Sequence, residues 1–320
     1  MEWRIAASLV HDLIRTLAGM DSKCDQRHMN RTCNLHIASG ALLITLVTFT
    51  PAVAEVPIEI ASTGHATVPV QGDFGVRQFV FDTGAEGSAV YADFADSAGM
   101  VSAGTEELQG QTGSSSVPIL RLSELILDGV RKGPIEAVKL PPRADGVPLA
   151  GIVGLDLFGD RIVDFDLPRR RVTLLVPGSA PSDLSSRPVV ASTTTGMLLT
   201  VPVRIGSVEA TAVLDTGARK TRINWKLGHL LGLKSHELAK GDIIQGATND
   251  AIETASTSLA DVRLGSRQLK QVPVLVADLP VFKAFGVADR PAVILGLDWL
   301  EATRMVIDFP SKHVWFEPAR

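Results

Sequence analysis

Two aspartates in the chain occupy positions where paired carboxylates could act as an acid and a base. Each begins the same tetrapeptide, Asp-Thr-Gly-Ala, at Asp82 and again at Asp215. Ordinary residue frequencies predict two Asp-Thr-Gly tripeptides in only about 0.2 per cent of chains of this length. Two carboxylates about 3 Å apart do not both ionise readily, so they hold one proton between them. Such a pair can activate water and protonate an oxygen or a leaving group without a metal ion.

The segments that precede the two tetrapeptides are repeats of each other. They read 67-TVPVQGDFGVRQFVFDTGA-85 and 200-TVPVRIGSVEATAVLDTGA-218, and they align without a gap at a spacing of 133 residues. Each reads as a strand, a glycine-containing turn and a second strand that ends at the aspartate, which predicts a β-hairpin. The chain is therefore predicted to contain two related lobes.

A second pair of repeated segments closes each lobe. They read 152-IVGLDLFG-159 and 294-ILGLDWLE-301, and Gly154 and Gly296 are 142 residues apart. Each predicts an apolar strand that ends at glycine, followed by a short helix. The spacing has grown by nine residues, which indicates a longer surface loop within the second lobe. Asp156 and Asp298, just after these glycines, are predicted to cap the short helix or to brace the lobe.

Composition predicts an all-β fold, mostly β with short helices. The chain has 320 residues, of which 45% are hydrophobic, and Val, Ile, Thr, Gly and Pro gather in short runs. The net charge of −4, without a basic stripe, argues against a nucleic-acid partner. Neither a Gly-x-Ser-x-Gly nor a His-Glu-x-x-His motif occurs in the sequence, so no cofactor or metal is predicted.

The N-terminal segment predicts export. Arg31 precedes an apolar run from Ile37 to Phe49, and Ala52-Val53-Ala54 is a small-x-small cleavage pattern. We predict a cleaved signal peptide, a translation start at or near Met29, and a periplasmic or secreted protein. An uncleaved membrane anchor is the alternative. The predicted segments are a signal peptide with a long N-terminal extension at 1–54, a first lobe at 55–178, a linker at 179–194 and a second lobe at 195–320.

The two tetrapeptides and the two apolar-Gly elements resemble those of the aspartic peptidases. Asp-Thr-Gly-Ala is similar to the retropepsin-like group, and the pairing of two such lobes in one chain is similar to exported bacterial members. The resemblance covers about residues 60 to 318. It implies two pseudo-twofold-related β-barrel lobes with the active-site cleft between them. It also implies a monomer, because one chain supplies both halves of the site.

The resemblance assigns roles to the residues of both motifs. Asp82 and Asp215 would be the catalytic dyad. The threonines would hydrogen-bond across the lobe interface, the glycines would permit a tight turn around the carboxylates, and the alanines replace the Ser or Thr of pepsin-like enzymes. Fewer hydrogen bonds to the dyad predict a mildly acidic optimum. The six supporting residues are Thr83, Gly84, Ala85, Thr216, Gly217 and Ala218.

Flaps that would cover an extended substrate are predicted at 108-LQGQTGSS-115 and 243-IIQGATND-250, which share a Gln-Gly pair. Neither contains the flap tyrosine of pepsin-like enzymes, and the only tyrosine is Tyr91. The four flap candidates are Gln109, Gly110, Gln245 and Gly246.

Two functions fit these residues. The first is an aspartic endopeptidase that hydrolyses protein or peptide substrates with water activated between the two aspartates. The alternative is a non-catalytic peptide-binding or scaffold protein on the same fold.

Overall fold

The computed structural model describes residues 55–143, 145–246 and 250–319, which belong to one compact unit, Pro51–Arg320. The predicted signal peptide, both cysteines and the predicted start at Met29 lie outside the described residues. No helix among the described residues is long and apolar enough to cross a membrane.

The first half of the described chain contains thirteen strands and two short helices. The strands are β1 (Val56–Pro57), β2 (Glu59–Ile60), β3 (Ala66–Gly72), β4 (Gly75–Phe81), β5 (Ala89–Tyr91), β6 (Ser102–Gln109), β7 (Ser114–Leu122), β8 (Leu125–Leu127), β9 (Val130–Lys132), β10 (Ile135–Leu140), β11 (Gly151–Val153), β12 (Ile162–Asp166) and β13 (Arg171–Leu175). The helices are α1 (Ala92–Ser97) and α2 (Leu155–Phe158).

The second half repeats this order with thirteen strands. They are β14 (Val189–Val190), β15 (Ser192–Thr193), β16 (Leu199–Ile205), β17 (Val208–Leu214), β18 (Arg222–Ile223), β19 (Ala239–Lys240), β20 (Ile244–Gln245), β21 (Ala251–Ile252), β22 (Ala255–Leu264), β23 (Arg267–Val276), β24 (Ala292–Leu295), β25 (Thr303–Asp308) and β26 (His313–Pro318). The helices are α3 (Trp225–Leu230), α4 (Pro280–Ala284) and the 3-10 helices Ser235–Glu237 and Leu297–Trp299.

The second lobe is a closed barrel. Its eight-stranded sheet runs β15-β16-β17-β24-β18-β23-β22-β19, and an additional pairing of β16 with β22 closes a ring of six strands. The central strand β17 is buried along its last three residues and pairs in parallel with β24. A strand covered on both faces needs a continuous apolar run, which explains why the sequence before Asp215 does not alternate.

The first lobe has the same strand order. Its ten-stranded sheet runs β6-β7-β10-β5-β11-β4-β3-β8-β9, with β2 added to β3. Here β7 and β8 together correspond to β22, and the pairing of Gln71 with Ile126 returns the sheet to β3. The central strand β4 again pairs in parallel with β11 and is buried over its last three residues. The expected mostly-β chain with two β-barrel lobes is confirmed.

A third sheet joins the lobes. Its order is β1-β13-β12-β25-β26-β14, so three strands of the first half lie beside three strands of the second half, and β12 and β25 pair at the boundary. In the antiparallel β12–β25 ladder, Asp164 faces Val306, Ile162 faces Asp308 and Asp166 faces Arg304. Asp164 and Val306 are equivalent under the 142-residue spacing, so this ladder is self-complementary about a pseudo-twofold axis, as in a symmetric dimer interface.

The connection between the lobes contains regular structure. The segment predicted as a linker includes β14, which pairs with β26, and β15, which pairs with β16. They mirror β1 and β2, which pair with β13 and β3 at the start of the first lobe. A Pro/Ser/Thr-rich composition does not reveal such two-residue strands, because their pairing partners are distant in sequence.

Candidate active site

The two motif aspartates lie at the ends of the central strands. Asp82 follows β4 and Asp215 follows β17, and each backbone amide donates to the carbonyl of Val153 or Leu295 respectively, at 3.1 Å in both lobes. The buried parallel pairs β4–β11 and β17–β24 therefore fix the positions of both carboxyl groups. Asp215 is 3% exposed, and Asp82 is partly exposed.

The motif glycines let the two loops touch. A Cβ atom on Gly84 would lie 2.6 Å from the carboxyl carbon of Asp215, and one on Gly217 would lie 2.2 Å from Oδ2 of Asp82. Neither glycine has a positive φ. The glycines are therefore required by the close approach of the opposite carboxyl group and not by a left-handed backbone.

The motif threonines bind the loops reciprocally. The Thr83 hydroxyl donates to the Leu214 carbonyl at 3.0 Å and accepts from the Thr216 amide at 3.1 Å. The Thr216 hydroxyl donates to the Phe81 carbonyl at 2.7 Å and accepts from the Thr83 amide at 3.0 Å. Both threonines are buried, at 1% and 0% exposure, so these bonds are shielded from water.

The environment of the carboxyl groups favours retention of a proton. The Gly84 amide donates to Asp82 at 2.7 Å, and the Ala218 amide donates to Asp215 at 2.9 Å. Burial and the charge of Asp215 raise the pKa of Asp82 well above its usual range. Burial also raises the pKa of Asp215, although the positive charge of Arg222 and the amide of Ala218 oppose this rise. The arrangement can therefore hold one proton between two carboxyl groups.

A second set of hydrogen bonds braces each motif from behind. Asp156 accepts from the amide and hydroxyl of Ser88 at 2.9 and 2.7 Å. Asp298 accepts from the amide and hydroxyl of Thr221 at 2.9 and 2.6 Å. The Ser88 and Thr221 hydroxyls in turn accept from the amides of the glycines that end β11 and β24. Of the two roles predicted for Asp156 and Asp298, the structure therefore shows the brace; Asp298 additionally accepts from the next amide along its 3-10 helix.

Both predicted flap segments are hairpins. Residues 108–115 form the tip of the β6–β7 hairpin, where the Gln109 side chain bonds the carbonyls of Gly110 and Gly113 within the turn. Residues 243–250 form the β20–β21 hairpin, of which residues 247–249 lie outside the description. The flaps meet where the Gly246 amide donates to the Thr112 hydroxyl at 3.2 Å.

Sequence reasoning missed Gln111, a flap residue that contacts the dyad. Its Nε2 donates to Oδ2 of Asp215 at 3.0 Å. The shared Gln-Gly pair singled out Gln109 and Gly110 instead, because it marks the turn and not the side chain that points inward. The signal available in the sequence was the second glutamine of 108-LQGQTGSS-115.

Two arginines, Arg143 and Arg222, were also missed. Arg143 donates to the Tyr91 hydroxyl at 2.9 Å, and its guanidinium lies 5.1 Å from the centre of the Tyr91 ring. Arg222, which acts on Asp215 electrostatically, follows Asp215 by seven residues. The described residues contain no group of three or more His, Cys, Asp or Glu side chains arranged to hold a metal ion.

A comparison with protein families agrees with this geometry. A family model described as Aspartyl protease matches residues 66–157 and 201–299, one region in each lobe and more than half of the chain. The chain therefore belongs to the aspartyl protease family, whose members are aspartic-type peptidases. A comparison with curated proteins found no match.

The reciprocal threonine bonds predict a specific loss of stability. Thr83→Val removes a buried hydroxyl that serves Leu214 and Thr216, so we expect unfolding to become easier by about 2 kcal/mol or more. Thr83→Ser keeps the hydroxyl and should cost only about 1 kcal/mol for the lost methyl group. Urea unfolding of both variants measures the difference. Equal losses in the two variants would show that packing, and not hydrogen bonding, makes this position important.

The dyad predicts that stability depends on pH. Because the folded chain raises the pKa of Asp82, the stabilisation is complete below the unfolded pKa of about 4 and is lost as pH rises through the folded value. Asp82→Asn removes the ionisable group. We therefore expect the variant to resemble the parent at about pH 3.5 and to be more stable at about pH 7, in denaturant titrations. A constant difference at both pH values would contradict a strained dyad.

Proposed function

We propose that the chain is an aspartic endopeptidase of the retropepsin-like group, with Asp82 and Asp215 as its catalytic dyad. The observation that carries this proposal is the contact of each motif glycine with the opposite carboxyl group, which leaves no room for a side chain between them. A binding protein has no need to keep two mutually repelling acids buried together.

The dyad would supply both halves of acid–base catalysis. With one proton on the pair, the ionised carboxylate takes a proton from water, whose oxygen then adds to the peptide carbonyl. The protonated carboxyl group donates to the carbonyl oxygen as its charge develops. Collapse of the resulting tetrahedral intermediate breaks the C–N bond: the protonated carboxyl group gives its proton to the leaving amine, and the carboxylate takes a proton from a hydroxyl group of the intermediate, which becomes the new carboxylic acid. Water is consumed, and the dyad regains its single proton.

The flaps support an extended protein or peptide substrate. Each lobe contributes one hairpin, and Thr112 and Gly246 bring the two into contact above the dyad. A substrate strand must displace the Gln111 amide from Asp215 before its own carbonyl approaches that carboxylate. Backbone pairing with the freed hairpins would then hold the substrate.

The function is tested by cleavage of an unfolded protein substrate between about pH 3 and pH 7, using residues 55–320. We expect a mildly acidic optimum, because Ala85 and Ala218 offer no hydroxyl to the carboxylates. Asp82→Asn and Asp215→Asn should each lower activity by roughly 10²- to 10⁴-fold, the usual contribution of acid–base catalysis. Maximal activity near pH 2, or full activity in either variant, would contradict the dyad.

A control separates catalysis from folding. The two Asn variants keep the shape of the carboxyl groups, so their far-UV circular dichroism and urea midpoints at about pH 4 should match those of the parent. If the folded parent cleaves no substrate at any pH, the non-catalytic peptide-binding or scaffold role becomes the better account of the same cleft.

Export is proposed on the sequence of residues 29–54 alone. We expect the mature protein to begin at Glu55 in a periplasmic or extracellular fraction, as a monomer. N-terminal sequencing of the protein from fractionated cells, with size-exclusion chromatography, checks this. A chain recovered from the membrane fraction with residues 29–54 intact would establish the anchored alternative.

A further inference from the structure

Arg222 is a buried cation without a hydrogen-bonding partner for most of its head group. The residue is 8% exposed, and its Nε and Nη1 atoms are buried and bond to no atom of the described residues. A buried guanidinium normally has a carboxylate or several carbonyls as partners, because its desolvation is otherwise uncompensated. The shape of the fold does not require this charge.

The position of Arg222 places its side chain beside the dyad. Its strand β18 lies between β23 and β24, where Arg222 faces Leu275 and Ile294. Ile223 is fully buried in the barrel, and successive strand residues point to opposite faces. Arg222 therefore lies on the other face from Ile223. Its charge acts on Asp215, on Asp298 and on His65, which belongs to the first lobe. Arg222 pairs with Ile294, and Ile294 pairs with Val213, two residues before Asp215, so Arg222 lies on the same face of the sheet as the dyad aspartate of its lobe.

The corresponding position of the first lobe has no charge. Under the 133-residue spacing the counterpart of Arg222 is Ala89, which is 4% exposed and occupies the same place in β5 between β10 and β11. A small apolar residue therefore satisfies the packing at this site. The arginine is present only in the second-lobe copy of this position, so a packing requirement shared by both lobes does not explain it.

The second lobe carries other positive charges in the same loop. Glu86 of the first lobe corresponds to Arg219, and Gly87 corresponds to Lys220. Lys220 is paired with Asp242, whereas Arg219 donates to the backbone carbonyl of Thr63 and leaves its charge unneutralised by that bond. Groups of both signs therefore act on Arg222: the charge of Arg219 opposes its protonated form, whereas Asp215 and Asp298 favour it.

The neighbouring acids do not neutralise Arg222 by contact. Asp298 accepts hydrogen bonds at Oδ1 from Thr221 and Trp299, and Asp215 accepts hydrogen bonds from Ala218 and Gln111. Neither forms an ion pair with Arg222 among the described residues. An arriving carboxylate would find a desolvated guanidinium with free donors, and hydrogen bonds to such a group are strong.

We propose that Arg222 recognises an acidic side chain, Asp or Glu, of the substrate next to the bond that is cut, on the side of the cleft formed by the second lobe. This inference rests on the proposed peptidase function and deepens it by naming the substrate class. Arg222 is then a specificity-determining residue. The matching site of the first lobe, around Ala89, accepts a neutral side chain.

The test begins with the parent protein and a mixed-sequence peptide library, whose cut sites are read by mass spectrometry. We expect an acidic residue to be enriched at one position beside the cut. Matched peptides with Glu or Gln at that position should then differ in kcat/KM by about tenfold or more, as for a charge-assisted hydrogen bond. Equal cleavage of the pair by an active parent would overturn the proposal and leave the peptidase function intact.

Variants assign the preference to Arg222. Arg222→Met should abolish the Glu-to-Gln ratio, and Arg222→Lys should retain part of it. Arg263→Met is the matched control, because it removes an exposed arginine on β22 and should leave the ratio unchanged. A ratio that survives in Arg222→Met would overturn the proposal.

Peptide binding tests the role of Arg222 if no cleavage is found. Fluorescence anisotropy of the labelled Glu and Gln peptides is measured with Asp82→Asn and with the Asp82→Asn, Arg222→Met double variant. If the parent cleaves nothing, two octapeptides are used that are identical except for Glu in one and Gln in the other. Tighter binding of the Glu peptide that depends on Arg222 supports the site even if the peptidase function fails. Equal binding of the two peptides contradicts it.

Discussion

Two carboxyl groups in contact inside a protein repel each other, and the structure around Asp82 and Asp215 is arranged to withstand that repulsion. The motif glycines have no side chain that would clash with the opposite carboxyl group. The motif threonines hydrogen-bond each loop to the end of the opposite central strand. Because the bonds are reciprocal, moving one loop breaks bonds of both. The sheet that joins the lobes pairs β12 with β25 around Asp164 and Val306. It therefore holds the two lobes together with the same pseudo-twofold symmetry, at a second place in the fold. Local hydrogen bonds and the sheet therefore oppose the same displacement.

The two lobes share the interactions that hold the motifs together and differ at other positions around the dyad. The threonine bonds, the glycine contacts and the Asp156 and Asp298 braces recur in both lobes with nearly the same distances. By contrast, Gln111 of the first flap donates to the dyad, and the second lobe has the buried Arg222 where the first lobe has Ala89. Duplication within one chain permits such differences, whereas two identical chains would carry each feature twice. The symmetric positions thus hold the two motifs together, and the asymmetric ones give the two carboxyl groups different surroundings.

The repeat made the fold and the two aspartates predictable. Because the two copies align without a gap, each predicts the same hairpin with an aspartate at the end of its second strand. Features that depend on distant partners were not predictable. Whether Asp156 caps its helix or braces the loop depends on Ser88, which lies 68 residues earlier. The reason for Gly84 was likewise hidden, since its backbone is ordinary and its neighbour belongs to the other lobe. Arg222 lies in a two-residue strand, too short for any alternation to show which way a side chain points.

The proposed recognition by Arg222 would also be linked to the chemistry of the dyad. Its charge favours the ionised form of Asp215, while the burial of Arg222 itself lowers the pKa of its guanidinium. A substrate carboxylate that pairs with Arg222 would partly neutralise the field that Asp215 experiences, and the proton would then be held more firmly by the pair. Binding of an acidic residue and protonation of the dyad would therefore favour each other, because linkage between two sites is reciprocal. A buried charge that costs stability in the free protein is the kind of local inconsistency expected where a site is built for a ligand.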